Sequence, residues 1–163
     1  MIELSQLDRP TYQQEKENVQ RLVRRIWKQE DARQAIHSIE RWAQNPESGT
    51  YFYIQDDGII IGITGYFIPN MEQGDFGLRH HGITRKGKGR EALDVLVDTL
   101  QNKYGIGFRR LIELVPEGRD DLIKKFQEWG FVLGTEVPSW EPKKDYYKYV
   151  LVKEINHQKS MQR

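Results

Sequence analysis

The sequence predicts a mixed α/β domain: a central, mostly antiparallel sheet of about six or seven strands flanked by about four helices. Three observations predict it. Some stretches alternate or run continuously in apolar residues, as strands do, while others repeat them at three- and four-residue spacing, as helices do. Asp56-Asp57-Gly58 and the loop at 71–74 join neighbouring strand stretches in a meander. Between residues 82 and 115 a strand end, a basic turn, a helix and another strand follow in succession, a βαβ order whose strands run parallel.

The totals bound the problem. At 163 residues the chain has one domain's worth of core, read here as residues 1–155 with a polar tail over 156–163 that is expected to fray. An apolar fraction of 37% and a charged fraction of 30% suit a soluble globular domain. The formal net charge of +1 confines any basic site to a local cluster and counts against a general nucleic-acid binder. With no cysteine there is no thiolate metal site and no cysteine nucleophile, and no metal is expected. No apolar run approaches a membrane span, and Met1-Ile2-Glu3-Leu4 has no leader pattern, so a cytoplasmic protein is expected.

In chain order, Ile2, Leu4 and Leu7 alternate into a short first strand. Val19, Leu22, Val23, Ile26 and Trp27 predict an amphipathic helix over about 14–28. Asp31 is expected to cap a second helix, whose apolar face is Ala32, Ala35, Ile36, Ile39, Trp42 and Ala43, and Asn45-Pro46 ends it. His37 and Arg41, one turn apart there, form either an exposed polar face or part of a cleft. Thr50 to Ile54 is rich in strand formers. Ile59 to Ile68 is an almost continuous apolar strand, the pattern of burial on both faces. A further strand is expected over 75–84. Ala92, Leu93, Leu96 and Leu100 predict a sheet-packed helix ending near Gly105. Leu111 to Val115 is a short buried strand. Leu122, Ile123, Phe126 and Trp129 mark a last helix closed by Gly130, and strands follow at 131–133 and 146–152.

The stretch Gly82-Ile83-Thr84-Arg85-Lys86-Gly87-Lys88-Gly89-Arg90 carries the clearest chemistry. Glycine lets backbone approach a ligand closely. The first N–H groups of a helix lack intrahelical partners and sit at the positive end of its dipole. Such a turn suits an anion, phosphate above all. Arg85, Lys86, Lys88 and Arg90 surround it with cations. The plainer reading is a solvated basic turn.

Two motifs in this order of elements resemble the GNAT N-acetyltransferase family. One is Thr84-Arg85-Lys86-Gly87-Lys88-Gly89 before an apolar helix, set against the family's Gln/Arg-x-x-Gly-x-Gly/Ala. The other is the stretch from Val115 to the ending Phe126-Gln127-Glu128-Trp129-Gly130-Phe131, set against a helix closing in Tyr-x-x-x-Gly-Phe. The resemblance covers about residues 1–154. It implies a GNAT-like fold and acetyl-CoA as cofactor, with transfer of its acetyl group to a primary amine of a small molecule or protein. A homodimer is a reasonable partner expectation, with no nucleic acid and no membrane. It further implies that Gly82 and Ile83, with His81, meet the pantetheine and the reacting carbonyl, and that the turn from Arg85 to Arg90 holds the pyrophosphate.

The departures bear on mechanism. Thr84 stands where Gln or Arg is usual, Arg119 where the family often has an Asn near the pantetheine, and Phe126 where many members have the Tyr that protonates the departing thiolate. The amine acceptor must lose a proton. No glutamate lies between Asp75 and Arg90. The candidate bases are His81, then Glu113, then Asp75; a water relay is the alternative. Asp75 and His81, six residues apart, are expected to share a strand face. Each also has a structural reading: packing or edge histidines, and a Glu113 facing solvent or a basic neighbour such as Arg109. Trp140, in the loop before the last strand, either meets the acceptor or covers the core. Two rivals stand beside the acetyltransferase reading. One is a non-catalytic acyl-CoA-binding or regulatory domain on the same fold. The other is an anion or nucleic-acid module using residues 79–90, which lack an aromatic platform beside them.

Overall fold

The structure is a computed structural model and describes residues 1–157. Its strands are β1 (Ile2–Gln6), β2 (Thr50–Asp56), β3 (Ile59–Asn70), β4 (Asp75–Leu78), β5 (Gly82–Ile83), β6 (Arg110–Pro116), β7 (Val132–Leu133) and β8 (Tyr147–Glu154). Its α-helices are α1 (Tyr12–Ile26), α2 (Gln29–Gln44), α3 (Gly89–Tyr104) and α4 (Asp120–Glu128). The strand order is β1-β2-β3-β4-β6-β8-β7, with β5 paired to β3. The β4–β6 pair is parallel, as the βαβ order requires, and the pairs made by β1 with β2, β2 with β3, β3 with β5, and β8 with β6 and β7 are antiparallel. The expected mixed, mostly antiparallel sheet with four helices is therefore present.

Backbone contacts divide the chain into two compact units. The first contains Met1–Phe67 and Arg79–Thr99. Its β2–β3 hairpin turns on Asp57 and Gly58, whose φ values of 50° and 83° match a two-residue primed turn. A bulge at Ile54/Gln55 shifts the register between the two strands. Ile61 consequently packs with Ile54, Ala92 and Val95 beneath α3, while Ile63 packs with Tyr53 against α1 and α2. Val19, Val23, Ala35 and Ile39 are fully buried there, and each large aliphatic side chain contributes roughly 1.5–3 kcal/mol by leaving water.

The second unit contains Ile68–Leu78 and, of the described residues, 100–157. Phe76 and Phe108 pack in its core with ring centroids 4.7 Å apart and planes tilted by 52°, and Leu111, Val115, Val150 and Leu151 are buried around the β6–β8 ladder. Asn156 and His157 are tied down: Gln101 donates to the Asn156 carbonyl (3.0 Å), and the His157 ring contacts the Phe108 carbonyl at 2.6 Å. The rest of the expected tail, 158–163, lies outside the described residues. Among the described residues no helix is long and apolar enough to cross a membrane.

Two local expectations are corrected. Asp31 is not the cap of α2. The Ala32 N–H already bonds the Lys28 carbonyl (3.0 Å), so the helix starts earlier and Asp31 joins Glu30 in its first turn, where acids suit the dipole. The strand expected over 75–84 is interrupted. Arg79 N–H bonds the Gly65 carbonyl (2.8 Å) and Gly82 pairs with Ile63, so three steps of chain oppose two. That irregularity ends the period of two, and the argument that Asp75 and His81 share a face fails with it.

Candidate active site

In the first unit, β5 is only two residues long, and the Thr84 N–H extends its pairing by one bond to the Ile61 carbonyl (2.6 Å). Gly82 is required by crowding. A Cβ there would lie 2.6 Å from the Trp27 ring and overlap Ile26. Gly87 is required by conformation instead: its φ is 89°, and a Cβ would meet nothing within 4 Å. The chain then enters α3 at Gly89, and the Ala92 N–H closes the first turn on the Lys88 carbonyl (3.1 Å).

The cations of the turn are arranged unequally. Arg85 donates to Asp56 Oδ2 at 3.0 Å, and Lys88 lies 3.6 Å from Glu91. Lys86 and Arg90 are exposed. An open glycine turn, a helix start and a rim of cations suit the diphosphate of acetyl-CoA, since backbone N–H groups supply a concave anion cradle. Residues 85–90 would hold it.

His81 is buried, at 4% exposure, and both ring nitrogens are engaged. Nδ1 lies 2.7 Å from Thr64 Oγ1 and Nε2 lies 2.9 Å from the Gly89 carbonyl. A carbonyl only accepts, so Nε2 carries a proton. His80 packs edge-on to Trp27, with ring centroids 5.8 Å apart. Burial first, and Arg79 second, push its pKa down to about 4, so it is neutral at physiological pH.

In the second unit, Asp75 is fully buried and its oxygens accept three hydrogen bonds: from Arg110 Nε (2.7 Å), Arg110 Nη2 (2.8 Å) and the Trp140 indole (2.9 Å). Glu113 sits on β6 opposite Leu151. Its side chain keeps partial solvent access, yet its carboxyl is desolvated and pushed up to about 8, with Lys125 the charge that opposes the rise. Lys125 lies over the Trp129 ring at 5.1 Å. Arg119, at the cap position of α4, donates through two nitrogens to Asp121 (3.1 and 3.2 Å). Phe126 is buried, edge-on to Trp129 and Phe131 at 5.5 and 5.3 Å.

Thus His81 joins the turn residues in the first unit, while Asp75, Glu113, Arg119 and Phe126 belong to the second. Sequence reasoning missed Thr64 and Lys125. Thr64 had a signal, as the lone threonine in the apolar run of β3; Lys125, on the polar side of a helix, had none.

Comparison of the sequence with known protein families and with curated proteins finds no match. The fold does match solved structures, and it is that of GNAT acetyltransferases. A GNAT-family acetyltransferase from Staphylococcus aureus Mu50 superposes with a TM-score of 0.64 at 16% identity, over 96% of this chain and 100% of that one. An aminoglycoside N-acetyltransferase superposes with a TM-score of 0.64 at 16% identity, over 94% of this chain and 96% of that one. The PaiA N-acetyltransferase from Thermoplasma acidophilum, solved in complex with coenzyme A, gives a TM-score of 0.60 at 13% identity over 95% and 99% of the two chains.

Proposed function

We propose that this protein is a cytoplasmic N-acetyltransferase that moves the acetyl group of acetyl-CoA to a primary amine of a small molecule or protein. The observation that carries the reading is the open, cationic glycine turn leading from β5 into the start of α3 on a GNAT fold. Acetyl-CoA supplies an acetyl carbonyl activated as a thioester. Backbone N–H groups of residues 85–90, with Arg85, Lys86, Lys88 and Arg90, bind the diphosphate, and the backbone of Gly82, Ile83 and Thr84 orients the pantetheine. Arg119 and Phe126 are further pantetheine contacts in this reading.

Glu113 is the proton acceptor we favour. An alkyl ammonium must lose a proton before it attacks, and a carboxyl raised to about 8 is matched to that transfer near neutral pH. Both nitrogens of His81 and both oxygens of Asp75 are already committed to protein partners, which favours Glu113 over them. Phe126 has no hydroxyl, so a thiolate departs without a phenol at this position.

The test is thiol release from acetyl-CoA across a panel of polyamines, aminoglycosides, amino acids and peptide N-termini. Amine-dependent release with at least one class is expected. Calorimetric binding of acetyl-CoA with no thiol release across the panel would instead support the non-catalytic acyl-CoA-binding reading.

A further inference from the structure

We infer that His81 is a positioning residue that ties the start of α3 to β3 and thereby aims the backbone donors of the anion turn. This rests on the reading of that turn as a diphosphate cradle. Three groups distant in sequence form one chain of hydrogen bonds: Thr64 Oγ1 on β3, the His81 ring, and the carbonyl of Gly89, the first residue of α3. Thr64 is fully buried and His81 nearly so.

The arrangement admits one proton pattern for a neutral imidazole. The Gly89 oxygen accepts, so Nε2–H donates to it, and Nδ1 accepts from the Thr64 hydroxyl. The hydroxyl fixes the ring's orientation, and the ring fixes the carbonyl.

The carbonyl matters because a peptide unit is rigid and planar. The Gly89 C=O and the Arg90 N–H belong to one plane and point in opposite directions. Holding the oxygen toward the body of the helix holds that N–H toward its start, the direction in which anions bind. A glycine at this position has the widest backbone freedom of any residue, so an outside tie has the most to constrain. In a helix the same oxygen also accepts from the residue four positions on, so the ring reinforces the first turn rather than competing with it.

The experiment compares wild type, His81→Ala, His81→Gln and Thr64→Val. Amide hydrogen exchange is read at Ala92 and Leu93 in the ligand-free protein, and the Kd for CoA is read by calorimetry. His81→Ala should raise exchange at Ala92 and Leu93 about tenfold with the β2 amides unchanged, and weaken CoA about tenfold. Gln, which keeps a donor, should recover most of both. In steady-state kinetics the loss should fall on the KM for acetyl-CoA. A folded His81→Ala with wild-type exchange at Ala92 and Leu93, or with a loss confined to kcat, would overturn the inference. If His81→Ala does not fold, Thr64→Val decides, since it removes only the hydroxyl: faster exchange supports the tie and unchanged exchange refutes it. Wild-type protein that takes up no CoA while the exchange responds as expected would leave the tie standing and remove the cradle reading.

Discussion

Asp75 and Arg110 sit directly opposite each other in the parallel β4–β6 pair, and the guanidinium donates to both carboxylate oxygens, at 2.7 and 2.8 Å. The Trp140 indole adds a third bond to the same carboxylate. Two-point pairing of this kind is specific in geometry and strong in a buried setting. It makes Asp75 a fastening between two strands and a distant loop.

Removing that carboxylate should therefore show as lost stability. Asp75→Ala leaves Arg110 and the Trp140 N–H without their acceptor, and breaking such a pair costs about 3–5 kcal/mol. Arg110 is partly exposed, so we expect the lower end of that range. Urea denaturation measures it, and a midpoint within error of wild type would refute the assignment.

Glu113 gives an opposite prediction. Its carboxyl is protonated in the fold up to about pH 8, whereas in the unfolded chain it ionises near the ordinary value of 4.5. The folded state binds the extra proton between those limits, so stability falls as pH rises from about 4.5 to about 8. Glu113→Gln should remove that decline and be the more stable protein at pH 8 by on the order of 1–3 kcal/mol, after allowance for partial solvent access. The same substitution should lower kcat about 10²–10⁴-fold if Glu113 takes the proton. Denaturation at two pH values and initial rates test the two halves separately.

Lys125 tunes that carboxyl. Its charge opposes the rise caused by burial. Lys125→Met should move the ascending limb that Glu113 sets in the kcat/KM pH profile upward from about 8. A limb that stays in place, or moves down, would separate Lys125 from Glu113.

Gly87 tests the turn through its backbone. At φ 89° with open space around it, a side chain meets strain rather than a clash. Non-glycine residues in left-handed conformations cost roughly 1–2 kcal/mol, and Asn tolerates them better than most. Gly87→Val should weaken CoA binding more than Gly87→Asn, by calorimetry. Equal affinities across Gly, Asn and Val would deny the turn its role.

Gly82 tests crowding instead. A Cβ there presses into the Trp27 ring and Ile26. Gly82→Ala should destabilise the protein by about 1–3 kcal/mol. A shift in Trp27 fluorescence should accompany the loss and show where the collision falls.

Much of this site was legible in the residues. The helix faces were plain because a period of 3.6 is a local property: Val19, Leu22 and Val23, or Ala35, Ile39 and Trp42, line up whatever they pack against. Asp56-Asp57-Gly58 marked the β2–β3 turn for an equally local reason, the positive φ that glycine allows. The interruption after Leu78 was not legible, since nothing in residues 79–81 announces that three steps will oppose two of β3. Asp31 misled because a good capping residue stood as the third residue of a helix that begins at Gln29.

By itself the sequence determined the kinds of element, their order, the parallel pair around α3 and the cationic glycine turn, because these follow from spacing and backbone freedom along a few neighbouring residues. Only the tertiary structure decided what the titratable groups do. Asp75 and His81 read alike as candidate bases until Arg110, Trp140, Thr64 and Gly89 were found against them. Glu113 gained its raised pKa from the packing around β6. Hydrogen-bond partners come from residues 8 to 65 positions away, on other elements, and no local pattern records which of them will arrive.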